Sequence, residues 1–463
     1  MTYANVTNSS SIDIAKYLQI QQTKGVYTNL ATQSEIWKLI LKAKAGKAGG
    51  RQMSYNLRTS LGPGAVQSLG AGDSGDYPSA SRSVVSEAVA FFKFYGSTVN
   101  VPRQLTMLSG EAMLRNSAMD ILNEELDAKS IALARVLSGQ IMRDGTGVIG
   151  IVSGTPTVSA ANDTLTITLN STDANGDRSH VGWFDEGDQI KFATSAGVAH
   201  GTVNNAVTAV AYWSVVSKDE DTNVVVLKPY SSTDGAVDIL NATVGATDPI
   251  DGDYIYRKGT TANDISSAPT DYGRASEELA GLAALISNDG RTVHGLAHTG
   301  PLQGTIKDCA AAQIDSTHFQ QALSRAKRRA GRGLYSWENA MMYDNVYDAF
   351  AESAESDRRF TSVQDANRGF KKIGFQHGKD FVEFQPDEFC SKARIWMLPT
   401  SKEVMQFYGD DFQVVDIGGQ KLHLKTSSSG AGHARAVQQY NEGAGVLICR
   451  HPASVIKITN FTA

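Results

Sequence analysis

The chain has 463 residues, of which 41% are hydrophobic, and a formal net charge of −5. This length and composition describe a folded protein of about two or three domains and exclude a wholly disordered chain. A net charge this small predicts neither a dedicated nucleic-acid binder nor a membrane-surface protein. No apolar run of about eighteen residues occurs, so no transmembrane helix is expected, and no signal peptide is recognised at the N-terminus. The cysteines Cys309, Cys390 and Cys449 are odd in number and far apart, which predicts no disulfide framework and indicates a reducing compartment.

The first part of the chain predicts an N-terminal arm, residues 1–50, followed by a long hairpin. Residues 1–50 are polar and lysine-bearing, with a short predicted helix from Ser34 to Ala45. One strand is predicted near residues 51–61, and a returning strand over residues 82–101 is rich in β-branched and aromatic residues. A glycine- and serine-rich tip, centred on residues 70–78, separates the two strands. Extended arms with exposed edges usually pair with another chain, so the hairpin predicts assembly rather than catalysis.

A long helix is predicted directly after the hairpin. Apolar residues between Ser109 and Gly139 recur mostly at steps of three and four, the period of one helix face. Ser109 suits the N-cap, Glu111 lies favourably in the first turn, and Gly139 offers a C-terminal stop. At about 1.5 Å per residue such a helix would be roughly 45 Å long and would form a spine.

Residues 151–258 predict an all-β module, because short runs such as 164–169 and 223–227 alternate with Asp, Asn and Gly turns. This segment contains fourteen acidic and six basic residues, a net charge of −8, which leaves +3 for the rest of the chain. An ordinary solvated acidic domain explains the difference. The same charge difference fits a β module that lies in bulk solvent and is attached to a body that faces an anionic partner.

From about residue 275 the pattern is mixed α/β. The two predicted helices are Ser316–Ala330 and Trp337–Ala354. The predicted strands are Lys379–Phe384, Ala393–Leu398, Gln413–Asp416, Gly445–Cys449 and Ala453–Ile458.

Several segments match the sequence of a known functional motif but lack the structural context that the motif requires. Gly72-Asp73-Ser74-Gly75 resembles a serine-protease nucleophile motif, yet that chemistry needs a preceding histidine and the first histidine here is His180. The segment 145–150 fits G-x-G-x-x-G but follows a predicted helix, so it is predicted to be a turn. His294 and His298 are four residues apart without the glutamate of a zinc motif, and packed or exposed histidines are the simpler interpretation.

A basic cluster, formed by Arg325, Lys327, Arg328, Arg329 and Arg332, closes the predicted helix before Gly331. Cations at a helix C-terminus are favourable through the helix dipole alone. Salt bridges between subunits and contact with nucleic acid remain alternatives.

The order of these segments resembles the major capsid proteins of tailed bacteriophages, which have the Hong Kong 97-type fold. The resemblance rests on Leu-Gly-Ala-Gly-Asp-Ser-Gly-Asp-Tyr-Pro at residues 69–78, on Phe-Lys-Phe-Tyr-Gly-Ser-Thr-Val-Asn-Val at residues 92–101, and on the helix that follows. In that family a glycine- and proline-bearing extended loop, the E-loop, leads through a strand into the long helix. The segments 369–378, 384–398 and 446–453 also look like the family.

The resemblance implies an α+β fold of that type with an inserted all-β domain. The implied parts are an N-terminal arm at residues 1–50, the E-loop hairpin at 51–101, a P-domain with the spine helix at 102–150, the inserted β-domain at 151–260, an A-domain with parts of the P-domain at 261–440, and terminal strands at 441–463. By family analogy the inserted domain would project outward, and the slightly basic remainder would face packaged DNA.

The implied function is self-assembly as hexamers and pentamers into an icosahedral phage head that encloses double-stranded DNA. No catalytic, cofactor or metal site is expected, and the implied location is the virion, after assembly in the host cytoplasm. The expected partners are further copies of the chain, non-specifically bound DNA, and scaffolding, portal and decoration proteins, with no membrane. The residues expected at inter-subunit contacts are Tyr55, Leu57, Arg58, Leu61, Asp73, Asp76, Tyr77, Val85, Val89, Phe92, Phe94 and Tyr95, of which Phe92, Phe94 and Tyr95 would anchor the base of the hairpin.

Two alternatives come from other functional classes. An encapsulin-like shell protein has the same fold and would form a cargo-loaded nanocompartment. A glycan-binding protein or hydrolase would use the β module as its working part and would be a discrete monomer.

Overall fold

The computed structural model describes residues 35–44, 52–60, 84–102, 128–129, 131–159, 162–171, 176–194, 199–200, 210–231, 249–257, 271–272, 278–331, 335–356, 374–377, 380–414, 423–426 and 433–462. The elements of the first part are α1 (Glu35–Leu39), β1 (Leu41–Lys44), β2 (Gln52–Ser60), β3 (Val84–Phe91), β4 (Lys93–Pro102), α2 (residues 128–129 and 131–142), β5 (Val148–Ser159), β6 (Thr164–Leu169), β7 (Gln189–Ala193), β8 (Ala199–His200), β9 (Tyr212–Asp219), β10 (Val224–Tyr230) and β11 (Tyr254–Arg257). Those of the second part are α3 (Leu282–Leu285), β12 (Thr292–Val293), β13 (Leu296–Ala297), β14 (Thr305–Gln313), α4 (Ser316–Ala330), β15 (Trp337–Met342), α5 (Asp344–Ser356), β16 (Gly374–His377), β17 (Asp380–Pro386), β18 (Arg394–Pro399), β19 (Met405–Val414), β20 (His423–Thr426), β21 (His433–Cys449) and β22 (Ile456–Thr462).

The central sheet is organised by β21, which has 17 residues. Strand β4 pairs with residues 436–445 of β21, whereas β19 pairs with residues 441–449 and β20 with residues 433–438. Because the β4 pairing overlaps both of the others, β4 must lie on one edge of β21, with β19 and β20 on the other. Strand β1 adds a parallel strand beyond β19.

Six antiparallel strands over residues 148–257 close into a barrel. The order is β5, β6, β10, β9, β7 and β11, and β11 pairs back onto β5. Inside the barrel, the rings of Phe192 and Trp213 lie 6.0 Å apart between centroids in an edge-to-face arrangement. Asp163 and Asn223 lie in the turns before β6 and β10 with φ of 51° and 55°, a conformation that short polar residues tolerate. The predicted strand at residues 164–169 is confirmed.

The third sheet has the order β14, β22, β18, β15, β17, β16. Helix α4 packs against it through residues that recur at helical spacing, and it has the predicted bounds. Its N-cap is Asp315, whose carboxylate accepts a hydrogen bond of 3.0 Å from the His318 backbone N–H, and it ends before Gly331, where φ is 95°. The buried residues of its apolar face are Phe319, Ala322, Leu323, Ala326 and Ala330.

A single apolar core joins the central sheet to the third sheet. Trp37 of α1 packs edge-on against Phe407 of β19 with 4.9 Å between ring centroids. Residues of α2 and α3, Trp396 of β18 and Leu447 of β21 complete this core. Among the described residues, none of the helices is long and apolar enough to cross a membrane.

Two predicted helices are wrong in part. Residues 337–342 form strand β15, and only the segment from Asp344 onward is helical. Strand β15 lies between β17 and β18 with most of its residues buried, and a short buried apolar run has no periodicity that separates a strand from a helix. The predicted helix from Ser34 to Ala45 is shorter in the structure, because residues 41–44 leave it to pair with β19.

Gly139 was expected to end the spine helix, but α2 continues through it to residue 142. A Cβ atom at Gly139 would lie 3.4 Å from the Trp183 ring, an ordinary van der Waals distance, so the helix packs against the barrel segment at this residue. Most of the predicted spine helix, residues 109–127, lies outside the described residues.

The barrel is joined to the third sheet by an ionic cluster of two buried cations and a carboxylate that is 19% exposed. Asp177, which lies between β6 and β7, accepts hydrogen bonds from Arg394 Nε at 2.8 Å and from Lys457 Nζ at 2.5 Å. Arg394 is on β18 and Lys457 is on β22, and both are buried. Burial by itself would raise the pKa of Asp177, but the adjacent Lys457 and Arg394 charges hold that pKa well below its usual range.

Backbone carbonyls of residues 388 and 389 supply a second connection. Trp183 Nε1 donates to the Phe389 carbonyl at 2.9 Å, and His180 Nε2 is 2.9 Å from the Glu388 carbonyl. A carbonyl oxygen only accepts, so Nε2 of His180 carries the proton. A Cβ at Gly182 would be 2.5 Å from the Glu388 carbonyl oxygen, so only glycine permits this approach. These directional bonds fix the barrel on the edge of the body.

We expect Asp177→Asn to lower the free energy of unfolding by about 3 kcal/mol or more, because two buried cations would lose their carboxylate. Urea denaturation of the full chain measures this. The control is Asp289→Asn, which weakens a more exposed pair with Arg291 and should cost less than about 1 kcal/mol. Equal losses in the two variants would contradict a structural role for the Asp177 cluster.

We expect His180 to make stability depend on pH. Burial lowers the pKa of His180 from 6.5 to about 4, so between these values the unfolded chain binds a proton that the folded chain does not. Stability therefore rises with pH across this window and is lost as the pH falls. His180→Gln keeps an N–H donor for Glu388 and should reduce the difference in unfolding free energy between pH 7 and pH 5 by about 2 kcal/mol. An unchanged pH dependence of the urea midpoint would refute this assignment.

Candidate functional site

The candidate site is the hairpin of β2 and β3, which we call the arm. Its strands pair from Gln52 opposite Phe91 to Ser60 opposite Val84. Successive residues face opposite sides of a strand, so Tyr55 and its partner Ala88 share one face, and Val85 lies on the other. Burial along β3 alternates accordingly, with Ala88 and Ala90 buried and Glu87 exposed.

The root of the arm is packed into its own chain. Tyr55, Leu57 and Ala88 form a buried cluster with Val446 and Ile448 of β21, together with Phe92 and Leu302. Burial raises the pKa of the Tyr55 hydroxyl, which keeps it protonated. Burying one large apolar side chain contributes about 1.5–3 kcal/mol. The root is therefore part of the folded core.

The distal part of the arm leaves this core. On β3, Val84 and Val85 are 54% and 53% exposed, although they lie on opposite faces of the hairpin. The body of the chain thus covers one face of the hairpin at its root. At residues 84 and 85 both faces of the hairpin are exposed. The arm projects from the protomer at this point.

Strand β4 carries the arm into the central sheet. Phe92 lies between the end of β3 and the start of β4 and is buried, whereas Phe94 is 63% exposed. Phe94 pairs with Ala444 of β21. Tyr95 is half-buried and packs against the central core. An aromatic side chain this exposed, at the point where the arm meets the sheet, adds an apolar surface to that of the arm.

A small hairpin, β12 and β13, holds the root from the other side. Its two turn residues are His294 and Gly295, with φ of 52° and 82°, as the favoured two-residue turns require. The His294 carbonyl accepts a hydrogen bond of 2.8 Å from the Val89 N–H, and its ring Nδ1 is hydrogen-bonded to the Tyr55 hydroxyl at 2.9 Å.

Sequence reasoning weighed His294 as a metal ligand and preferred an ordinary packed or exposed histidine, and it did not predict this contact with the arm. The signal was a His-Gly pair between two short apolar segments, which is a turn pattern. Histidine is among the residues enriched at positive φ.

The expected contact residues fall into three groups. Tyr55, Leu57 and Phe92 are buried within the chain, so they position the arm. Val85 and Phe94 are exposed, Val89 and Tyr95 are half-buried, and Arg58 lies in β2 opposite Val85. Leu61, Asp73, Asp76 and Tyr77 lie outside the described residues.

The basic cluster near the end of α4 is partly occupied within the chain. Arg329 donates to the carbonyl oxygens of Gly304 at 2.7 Å and Gln303 at 2.9 Å, and Arg325 donates to that of Ile306 at 2.9 Å. These two guanidinium groups therefore fasten α4 to the first residues of β14 and to the chain just before it. Arg332 lies outside the described residues.

Phe92→Ala should lower the free energy of unfolding by about 3 kcal/mol, because it leaves a cavity under the arm. Phe94→Ala, the matched change two residues away, should cost less than about 1 kcal/mol, since its ring is in solvent. Chemical denaturation of the unassembled protomer compares the two. A loss of about 2 kcal/mol or more in the unfolding free energy of Phe94→Ala is what removal of a buried side chain costs. Such a loss would show that this ring is packed within the protomer.

No protein-family model matches the chain, and no curated protein matches it in sequence. Among solved structures, it is similar to the capsid asymmetric unit of cyanophage A-1(L), with 9% identity over 93% of each chain and a TM-score of 0.45. It is also similar to the capsid of a native GTA particle, with 8% identity over 92% of this chain and 89% of that one and a TM-score of 0.42. For a chain of Mycobacterium phage Adephagia the identity is 9%, the coverage is 93% and 91%, and the TM-score is 0.40. In each of these three comparisons the alignment covers most of both chains, at an identity below 10%.

Proposed function

We propose that this chain is a viral major capsid protein that assembles as hexamers and pentamers into an icosahedral shell around double-stranded DNA. The observation that carries this proposal is the arm: its root is built into the core of the protomer, while its distal part has both faces exposed. A hairpin without cover of its own is stable only when something else packs on it. A neighbouring copy of the same chain is the partner that a self-assembling shell supplies.

The exposed apolar side chains support the same interpretation. Among the described residues, the large hydrophobic side chains with the greatest exposure are Phe94, Val84 and Val85, and all three lie within eleven residues of the chain. Scattered exposed hydrophobics are ordinary on protein surfaces, but a concentration on one projecting element marks an interaction surface.

Assembly through such arms is a sum of weak contacts. Each arm would lie over the next subunit and contribute a modest interface. In a closed ring every subunit is held by two such interfaces, so breaking one of them does not release a subunit. Individual interfaces of this kind can be weak while the shell as a whole is stable. The role is structural, and no catalytic step is proposed.

The domain plan of the proposal is the Hong Kong 97-type arrangement. Residues 1–50 would be the N-terminal arm, and residues 51–101 the E-loop with the strand that leads from it. Residues 102–150 would be the P-domain with its spine helix, and residues 151–260 an inserted β-domain that projects outward. Residues 261–440 would be the A-domain with parts of the P-domain, followed by terminal strands at 441–463.

Charge supports one orientation of the subunit in the shell. The segment 151–258 has a net charge of −8, and the remainder has +3. An acidic barrel outside and a slightly basic remainder inside would reduce repulsion from packaged phosphates. Contacts to DNA would be non-specific. Scaffolding, portal and decoration proteins are proposed as further partners in the virion.

We expect the double variant Val84→Glu/Val85→Glu to fold normally but to fail in assembly. Both side chains are in solvent in the protomer, whereas burying two carboxylates at each copy of an interface is strongly unfavourable. Sedimentation and negative-stain imaging of the full chain, co-expressed with its neighbouring genes, measure shell formation. The control is Val216→Glu on the barrel, a valine that is 46% exposed, which should assemble like the unmodified chain.

Shells from Val84→Glu/Val85→Glu at the yield of the unmodified chain would refute a role for the arm. An unmodified chain that stays monomeric under co-expression would refute assembly altogether. The content of the shells separates the two shell functions: packaged double-stranded DNA supports the phage head, and a protein cargo supports an encapsulin-like compartment.

A further inference from the structure

We propose that the β12–β13 hairpin is a clamp that fixes the direction in which the arm leaves the protomer, and that His294 is its positioning residue. This inference deepens the proposed function and rests on it for its consequence in assembly. Its structural content concerns the free protomer alone.

His294 holds both strands of the arm. Its carbonyl oxygen accepts from the Val89 N–H on β3 at 2.8 Å, and its ring Nδ1 is 2.9 Å from the Tyr55 hydroxyl on β2. The two rings meet edge to face, with 6.0 Å between centroids and 84° between planes. Because Tyr55 and Val89 are next to each other across the hairpin, with Ser54 the direct partner of Val89, one residue restrains the hairpin as a unit.

The clamp is itself held rigidly. The Tyr272 N–H donates to the Thr292 carbonyl at 2.9 Å, and the His294 N–H donates to the Tyr272 carbonyl at 3.3 Å. The Gly295 N–H donates to the Asp271 carboxylate at 3.1 Å. The Arg291 guanidinium lies over the Tyr272 ring at 4.5 Å. The turn is thus hydrogen-bonded to Asp271 and Tyr272, which are not part of the arm.

The position of the clamp along the arm gives it leverage. Val89 lies on β3 within the buried root, between Ala88 and Ala90, and four residues from Val85 at the exposed distal part. Strands rise about 3.3 Å per residue, so a small rotation at Val89 moves the distal arm by several ångströms. An arm held in one direction meets the neighbouring copy with its ordering entropy already lost, which strengthens association.

Three variants test the clamp without straining the backbone. His294→Gly keeps the positive φ and removes the ring, and Tyr55→Phe removes one oxygen atom. His294→Asn is the conservative variant, because asparagine tolerates positive φ and places a hydrogen-bonding atom where Nδ1 stands. Tyr256→Phe is the control, a buried tyrosine in the barrel.

Hydrogen exchange in the unassembled full chain is the first readout. We expect the amides of residues 84–91 to exchange about two- to tenfold faster in His294→Gly and Tyr55→Phe, and at the original rate in His294→Asn and Tyr256→Phe. Exchange of β10 in the barrel is the internal reference, because a general loss of stability would accelerate both segments. Equal acceleration of the arm and of β10, or no acceleration of the arm, would overturn the clamp.

The second readout is direction. Spin labels at Val85→Cys and Lys402→Cys report the distance between arm and body, since the three native cysteines are buried. A narrow distance distribution that broadens in His294→Gly and is restored in His294→Asn supports the clamp. An equally narrow distribution in His294→Gly refutes it.

Assembly then separates this inference from the proposed function. If the unmodified chain forms shells, the critical concentration should rise about two- to tenfold in His294→Gly. A loosened arm with an unchanged critical concentration would overturn the role of the clamp in assembly. An unmodified chain that never assembles would refute the proposed function, while exchange and distances would still decide whether the clamp exists.

Discussion

Backbone pairing along both edges of β21 is the constraint on which the rest of the molecule depends. One edge receives β4, the continuation of the arm, and the other receives β19 and β20. The two faces of the strand are used as well: Leu447 and Cys449 enter the central core, and Val446 and Ile448 form the floor under the arm. Because both edges of β21 are paired and both of its faces are packed, the strand cannot shift register without disturbing the sheet, the core and the arm together.

The barrel is attached by a different kind of interaction. Where the arm relies on apolar burial and backbone hydrogen bonds, the barrel meets the third sheet through Asp177 and its two cations, which come from positions 217 and 280 residues further along the chain. A carboxylate held between two buried cations tolerates little displacement, because either cation would be left uncompensated. The molecule thus combines a projecting element held at its root with a β module locked in place by charge.

Local patterns predicted several elements well. Helix α4 has its predicted bounds because the 3.6-residue period, an Asp before its first turn and a Gly after its last all agree. Strand β6 was predicted from a short run of strand-forming residues between turn residues, and the returning strand of the arm from its β-branched and aromatic residues. One element that is covered on both sides was predicted wrongly. This element is strand β15, since a run of buried residues has no period that distinguishes a strand from a helix.

For the arm, sequence reasoning located the element but could not divide its residues by role. Tyr55, Leu57 and Phe92 have the same apolar character as Val85 and Phe94. Which of them face the protomer depends on where β21 passes beneath the hairpin. His294 was noticed for its spacing to His298, and its contact with Tyr55 joins positions 239 residues apart.

The sequence by itself determined the order of the segments, the projecting hairpin, the charge difference between the barrel segment and the rest, and the bounds of elements with a clear period. These are local properties, set by side-chain size, backbone preference and formal charge. Only the tertiary structure decided the closure of the barrel, the partners of Asp177, the clamp at His294 and the point at which the arm leaves its own core. Each of these joins groups that are distant along the chain, and such contacts arise from packing and complementary hydrogen bonding in three dimensions.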